Sequence, residues 1–122
     1  MFYVDKETEA IYLTRGDDAA LDVTLKDASG SAYTMQTGDT LTLTVRRTPA
    51  DADVVLTVTS GSTRLLISHD DTATAQVGAY SADIQLLSGG QRLTIWPTLD
   101  GRNRSTEANF KNFILMPEVT RV

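Results

Sequence analysis

Between Gly78 and Pro97 the chain reads GAYSADIQLLSGGQRLTIWP, and no other stretch restricts the fold as much. Tyr80, Ala82, Ile84 and Leu86 alternate with Ser81, Asp83 and Gln85, so an extended backbone puts the first set on one face and the second on the other. Ser88-Gly89-Gly90 then supplies turn residues, and the segment up to Pro97 runs back. The stretch from Asp71 to Pro97 is therefore predicted to hold a β-hairpin opened by a glycine and a tyrosine.

Short β-rich runs separated by turn chemistry continue through the rest of the chain, with no convincing helix. Ile11-Tyr12-Leu13 is a first strand, broken by Arg15-Gly16-Asp17-Asp18. Leu21, Val23 and Leu25 then face inward against Asp22, Thr24 and Lys26, before Asp27-Ala28-Ser29-Gly30 turns the chain. Thr37-Gly38-Asp39 precedes a strand in which Leu41, Leu43 and Val45 alternate with Thr42 and Thr44, and Thr48-Pro49 ends it. Val54 to Thr59 and Arg64 to Ser68 pair around Ser60-Gly61-Ser62, with Leu56, Val58, Leu65 and Ile67 as the apolar sets. Phe113 to Val119 closes the chain. Thr98 to Asn112 offers no alternation and is expected to be a polar loop, longer than the usual connection.

This order of strands and turns resembles an immunoglobulin-like antiparallel β-sandwich of about seven to nine strands. Such sandwiches place a glycine and a tyrosine at the start of the sixth strand, with the tyrosine hydroxyl folded back onto the backbone. Gly78 and Tyr80 stand in those positions, and Ala82 stands where antibody domains carry cysteine. Residues 1–122 are expected to form one domain, since a chain of this length buries roughly 65% of its unfolded surface without staples.

Composition removes several functions from consideration. The chain has no cysteine, which excludes a disulfide framework, a thiolate metal site and a cysteine nucleophile. Sixteen acidic residues against eleven basic ones give a net charge of −5, the wrong sign for binding a phosphate backbone, so nucleic acid is not an expected partner. MFYVDKETEA has no basic region followed by an apolar block, and no apolar run is long enough to span a bilayer. Neither a signal peptide nor a membrane partner is expected.

The pieces IYLTRGDDAALDVTLKD, GDTLTLTVRR, HDDTATAQVGAYSADIQLLSGGQRLTIWP and ILMPEVT occur in an order similar to the immunoglobulin-like N-terminal domain of tailed-phage baseplate upper proteins and related phage tail structural proteins. The resemblance implies a non-enzymatic structural or adaptor protein of a bacteriophage or prophage tail or baseplate. It implies a virion component assembled in the bacterial cytoplasm, docking onto other tail or baseplate proteins, with no catalytic residue, metal or cofactor to carry over. Self-association into a homo-oligomer is compatible with free sheet edges, although no residue specifies it. The chain stops after the sandwich where the family continues toward host recognition, and the stretch from Thr98 to Asn112 is longer than the family's last connection. That loop, made basic by Arg102, Arg104 and Lys111, is the expected contact surface.

Other residues carry chemistry that has an ordinary explanation beside it. Arg15-Gly16-Asp17 spells an integrin-type tripeptide, yet glycine and aspartate are common turn residues. Asp17, Asp18 and Asp22, Asp51 with Asp53, and Asp70 with Asp71 offer hard oxygen ligands but lack the spacing of a calcium loop. His69, the single histidine, lies beside Ser68 and Asp70; if the run is a strand, these three point alternately and do not form a triad. Trp96, opposite in phase to Leu93 and Ile95, could join Tyr3, Tyr12, Tyr33 and Tyr80 in an aromatic platform, which makes a carbohydrate-binding module the alternative reading. Asn103-Arg104-Ser105 is a glycosylation sequon, silent without export.

Overall fold

The computed structural model describes residues 2–4, 9–27, 29–97 and 111–118. They form nine strands: β1 (Phe2–Val4), β2 (Ile11–Thr14), β3 (Ala19–Asp22), β4 (Thr40–Arg46), β5 (Leu56–Ser60), β6 (Arg64–Ile67), β7 (Gly78–Ser88), β8 (Gln91–Trp96) and β9 (Phe113–Met116). Seven of them make one sheet, in the order β1-β2-β9-β7-β4-β5 with β8 also on β7, while β3 and β6 make a second sheet. The fold is all-β, a sandwich-like arrangement of one large mixed sheet and one small one.

Period-two burial explains why these segments pack as they do. In β4, Leu41, Leu43 and Val45 are buried while Thr42, Thr44 and Arg46 are half-exposed, and β6 buries Leu65 and Ile67 but exposes Leu66. In β7, Tyr80, Ala82, Ile84 and Leu86 all enter the core, joined from β2 and β9 by Ile11, Leu13, Phe113 and Leu115. Each leucine-sized side chain removed from water in this way contributes about 1.5–3 kcal/mol before chain entropy is counted.

The sheet is mixed, which departs from an all-antiparallel sandwich. Ile11 to Thr14 pair in parallel with Phe113 to Met116, whereas every other ladder is antiparallel. A hairpin forces opposite directions on its strands, but a parallel pair needs a long connection, and here most of the chain lies between β2 and β9. The alternating run after β3 also keeps its phase without remaining a ladder. Pairing with β6 stops at Asp22, yet Val23 is half-buried and Leu25 buried.

A helical turn, α1 (His69–Thr72), corrects the expectation of a chain without helix. Ser68 is its N-cap: the Asp71 carboxylate accepts from the Ser68 N–H at 2.7 Å, and the Ser68 side chain faces the Asp70 N–H at 3.4 Å. A serine followed three residues later by an acid is a capping-box signal, and here it ends the strand.

β8 and β9 lie end to end along one side of β7, with β4 on the other. β9 covers Gly78 to Tyr80, and β8 begins at Ile84. Between them the N–H and C=O of Ala82 face a gap in the ladder. The Asn112 side chain fills it: Oδ1 accepts from the Ala82 N–H at 2.8 Å and Nδ2 donates to the Ala82 carbonyl at 2.9 Å. Asn112 is 1% exposed, and its backbone links Tyr80 and Ile11 as well. Placing this residue at the end of a solvated loop is thus corrected: its carboxamide stands in for a missing strand residue.

The Tyr80 hydroxyl donates to the Gln76 carbonyl four residues back and closes the corner into β7. Gly78 opens that strand at φ 146°, a conformation costly for any residue with a Cβ. Removing the Asn112 carboxamide orphans two buried backbone groups, whereas removing the Tyr80 hydroxyl orphans one acceptor. In urea unfolding, Asn112→Ala is expected to cost about 2–4 kcal/mol and Tyr80→Phe about 1 kcal/mol. Equal losses would contradict the gap-filling role.

Candidate functional site

The candidate site is an interaction surface around β8. This strand pairs with β7 on one side, and among the described residues its other edge has no strand beside it. Among the described residues the opposite layer has only two strands, and they leave the inner face of β8 incompletely covered. A cleft of about 290 Å³ opens there, lined by Val4, Ile11, Leu21, Val23, Ile95 and Trp96 among others. On the far side of Ile95 a second cleft of about 300 Å³ is walled by Leu25, Tyr33, Leu86 and Leu93. Leu93 is 50% exposed and Leu87, on the neighbouring strand, 40%.

A bulge positions Trp96. Gln85 pairs with Thr94 but Ile84 pairs with Trp96, so β8 spends two residues against one and Ile95 is extra. The simple alternation that set Trp96 against Ile95 is overturned, and both side chains line the same cleft. Trp96 is half-buried, and its indole N–H donates to the Glu9 carbonyl at 3.1 Å. Its ring is therefore a wall of the cleft. Of the other aromatics proposed for a platform, Tyr80 is buried and Tyr33 is half-buried with its hydroxyl on Asp39.

Arg102 and Arg104 lie outside the described residues, as does the sequon at 103–105. Lys111 is described: it is exposed, and its ammonium donates to the Arg47 carbonyl. Lys111 thereby ties the end of the expected contact loop to the end of β4.

The Arg15-Gly16-Asp17 turn is held from several sides. The Arg15 guanidinium makes a two-pronged contact with Glu118, Nε to Oε2 and Nη2 to Oε1, both at 2.9 Å, and Nη1 donates to the Ala75 carbonyl at 3.1 Å. Glu118 accordingly holds that guanidinium more firmly protonated than usual. Gly16 N–H donates to the Thr72 hydroxyl at 2.9 Å. An arginine committed in this way is a structural clasp. Its partner is 103 positions away, which no local motif reveals.

Among the described residues no group of three His, Cys, Asp or Glu side chains is placed to hold a metal ion. Asp51 instead accepts from the Asp53 N–H at 3.0 Å within its own turn. His69 does meet Asp70, with Nε2 3.5 Å from Oδ1, because the two share a helical turn; the strand argument for their separation is corrected. Ser68 remains occupied in capping α1. No described helix is long and apolar enough to cross a membrane.

Asp83 lies on the outer face of β7, beside Thr44, Arg46 and Pro49, in a pocket of about 110 Å³. Burial pushes its carboxyl up, against the attraction of Arg46. A network missed at the sequence level lies near the second cleft: buried Asp39 accepts from the Tyr33 hydroxyl and from the Gln36 N–H at 2.9 Å. The Tyr33 bond is the main reason its carboxyl sits below the usual range, with Gln36 and Ser88 adding to it. A tyrosine six residues before a turn aspartate carries no spacing signal.

No family model, curated protein or solved structure matches the chain.

Because the Asp39 carboxyl is held low in the folded state, its contribution is present above the ordinary aspartate value of about 3.9 and lost as pH falls through the folded value. Urea midpoints measured from neutral pH downward are expected to fall less steeply below about pH 4 in Asp39→Asn than in the parent. An unchanged acid limb would remove Asp39 from the account.

Proposed function

We propose that this chain is a non-enzymatic structural or adaptor module of a bacteriophage or prophage tail or baseplate, acting by protein–protein docking. The observation that carries the reading is the side of β8 that no described strand pairs with, beside two apolar clefts, with Leu93 in the wall of the second and half in solvent. An extended segment of a neighbouring subunit has two things to gain there: backbone hydrogen bonds from the edge and apolar contacts in the cleft. The order of strand and turn signals supports the tail and baseplate setting. Arg102, Arg104 and Lys111 supply basic charge on an acidic protein, which favours an acidic neighbour.

The carbohydrate-binding alternative gains no specific support, because the Trp96 ring is half-buried in the cleft wall. The docking reading places the protein in assembled particles or their intermediates inside the producing cell.

Mass spectrometry of particles purified from induced producing cells is expected to find the chain in them or in assembly intermediates. Its absence from both would reject the setting. Leu93→Glu puts a charge on the proposed contact at a half-exposed position and is expected to reduce incorporation at least several-fold while leaving the thermal midpoint within a few degrees. Incorporation equal to that of the parent chain would reject β8 as the contact.

A further inference from the structure

The end of the sandwich at the β2–β3 turn contains a histidine placed between carboxylates from two different segments. One oxygen of Asp18, in that turn, accepts both the His69 backbone N–H at 2.6 Å and lies 3.0 Å from ring Nδ1. On the other side of the ring, Nε2 is 3.5 Å from Asp70 Oδ1. A neutral imidazole has one N–H, and an ionised carboxylate only accepts, so a neutral ring can donate to one of these partners and not to both. Only the imidazolium serves both sides.

We infer that His69, Asp18 and Asp70 form a proton-sensitive clasp that draws α1 onto the β2–β3 turn when the ring is charged and slackens it when the ring is neutral. The charged groups facing the ring are Asp18 from the β2–β3 turn and Asp70 and Asp71 from α1 itself. All three are acidic and favour the cation. The Asp18 hydrogen bond is the largest influence holding the proton on His69, followed by the charges of Asp70 and Asp18. The contact that crosses the junction is the one with Asp18, and deprotonation removes its ionic attraction; Asp70 lies on α1 with His69 and adds to the charge that favours the cation without joining a second segment.

The clasp acts on a defined junction. The same two segments are joined a turn further on by Gly16 N–H and the hydroxyl of buried Thr72. Directly beside them β3 and β6 begin their ladder with Ala19 opposite Ile67. Loss of the ion pair therefore loosens the entry to the smaller sheet without touching the core. Because the folded-state proton affinity of His69 is raised, the contribution is complete below about pH 6.5 and is lost as pH rises through the folded value.

Proton NMR of the full chain, following the His69 ring from pH 5 to 9, tests the titration. Amide exchange of Gly16 and His69, corrected for the intrinsic pH dependence, tests the junction. The ring midpoint is expected above about 6.5 and to fall toward that value in Asp18→Asn. Protection of the two amides is expected to drop several-fold across the midpoint in the parent and to be flat with pH in His69→Gln. A midpoint at the ordinary value, protection independent of pH in the parent, or an unchanged pH dependence in His69→Gln would each overturn the clasp.

Discussion

The hydrogen bonds between the Asn112 carboxamide and Ala82 are the constraint on which the rest of the sheet depends. β7 is the strand through which the larger layer is assembled, with β4 along one side and β8 and β9 sharing the other. Those two segments do not meet, and a buried N–H and C=O left facing the break would each lose a hydrogen bond with no water to replace it. One side chain supplies both donor and acceptor, in the geometry a strand residue would have used. Because the backbone of Asn112 also bonds to Tyr80 and Ile11, β7, β9 and β2 come together at a single residue.

Unequal layers follow from the same arrangement. Among the described residues, the two-stranded sheet does not cover the whole inner face of the seven-stranded one, and the uncovered part falls at β8. Proteins normally blunt such an edge with charge, proline or a bulge. β8 has all three in modest form, in Arg92, the following Pro97 and the extra residue Ile95. Among the described residues they leave Leu93 half-exposed beside the apolar clefts.

At the other end, long-range contacts convert residues with recognisable chemistry into structure. Arg15 meets Glu118, Gly16 meets Thr72, and Asp18, the residue after the tripeptide, meets His69, so the arginine and glycine of the Arg-Gly-Asp turn and the residue that follows it are engaged with distant parts of the chain. Among the described residues no buried side-chain nitrogen or oxygen lacks a partner. The polar groups of the interior are therefore explained by the fold, and surfaces for interaction have to be sought at strand edges and clefts.

The architecture was legible because burial in a sheet repeats every two residues, so Leu41, Leu43 and Val45, or Ala82, Ile84 and Leu86, declare their faces without reference to any partner. Gly78 and Tyr80 could be read for a similar reason, since the corner joins groups four residues apart. The Ser68–Asp71 capping box is equally local, but its signal competes with the alternating run of β6 that leads directly into it. Other features depend on residues far apart in the chain. The parallel pairing of Ile11 with Phe113, the Ile95 bulge that turns Trp96 into the cleft, the Arg15–Glu118 clasp and the use of Asn112 at Ala82 all need a partner whose position is set only when the sheets close. Sequence alone determined which faces are apolar and where the chain turns, because those are properties of neighbouring residues. Tertiary structure decided which edge is left open and which polar groups are committed, because hydrogen bonds between distant segments exist only once packing brings them within about 3 Å.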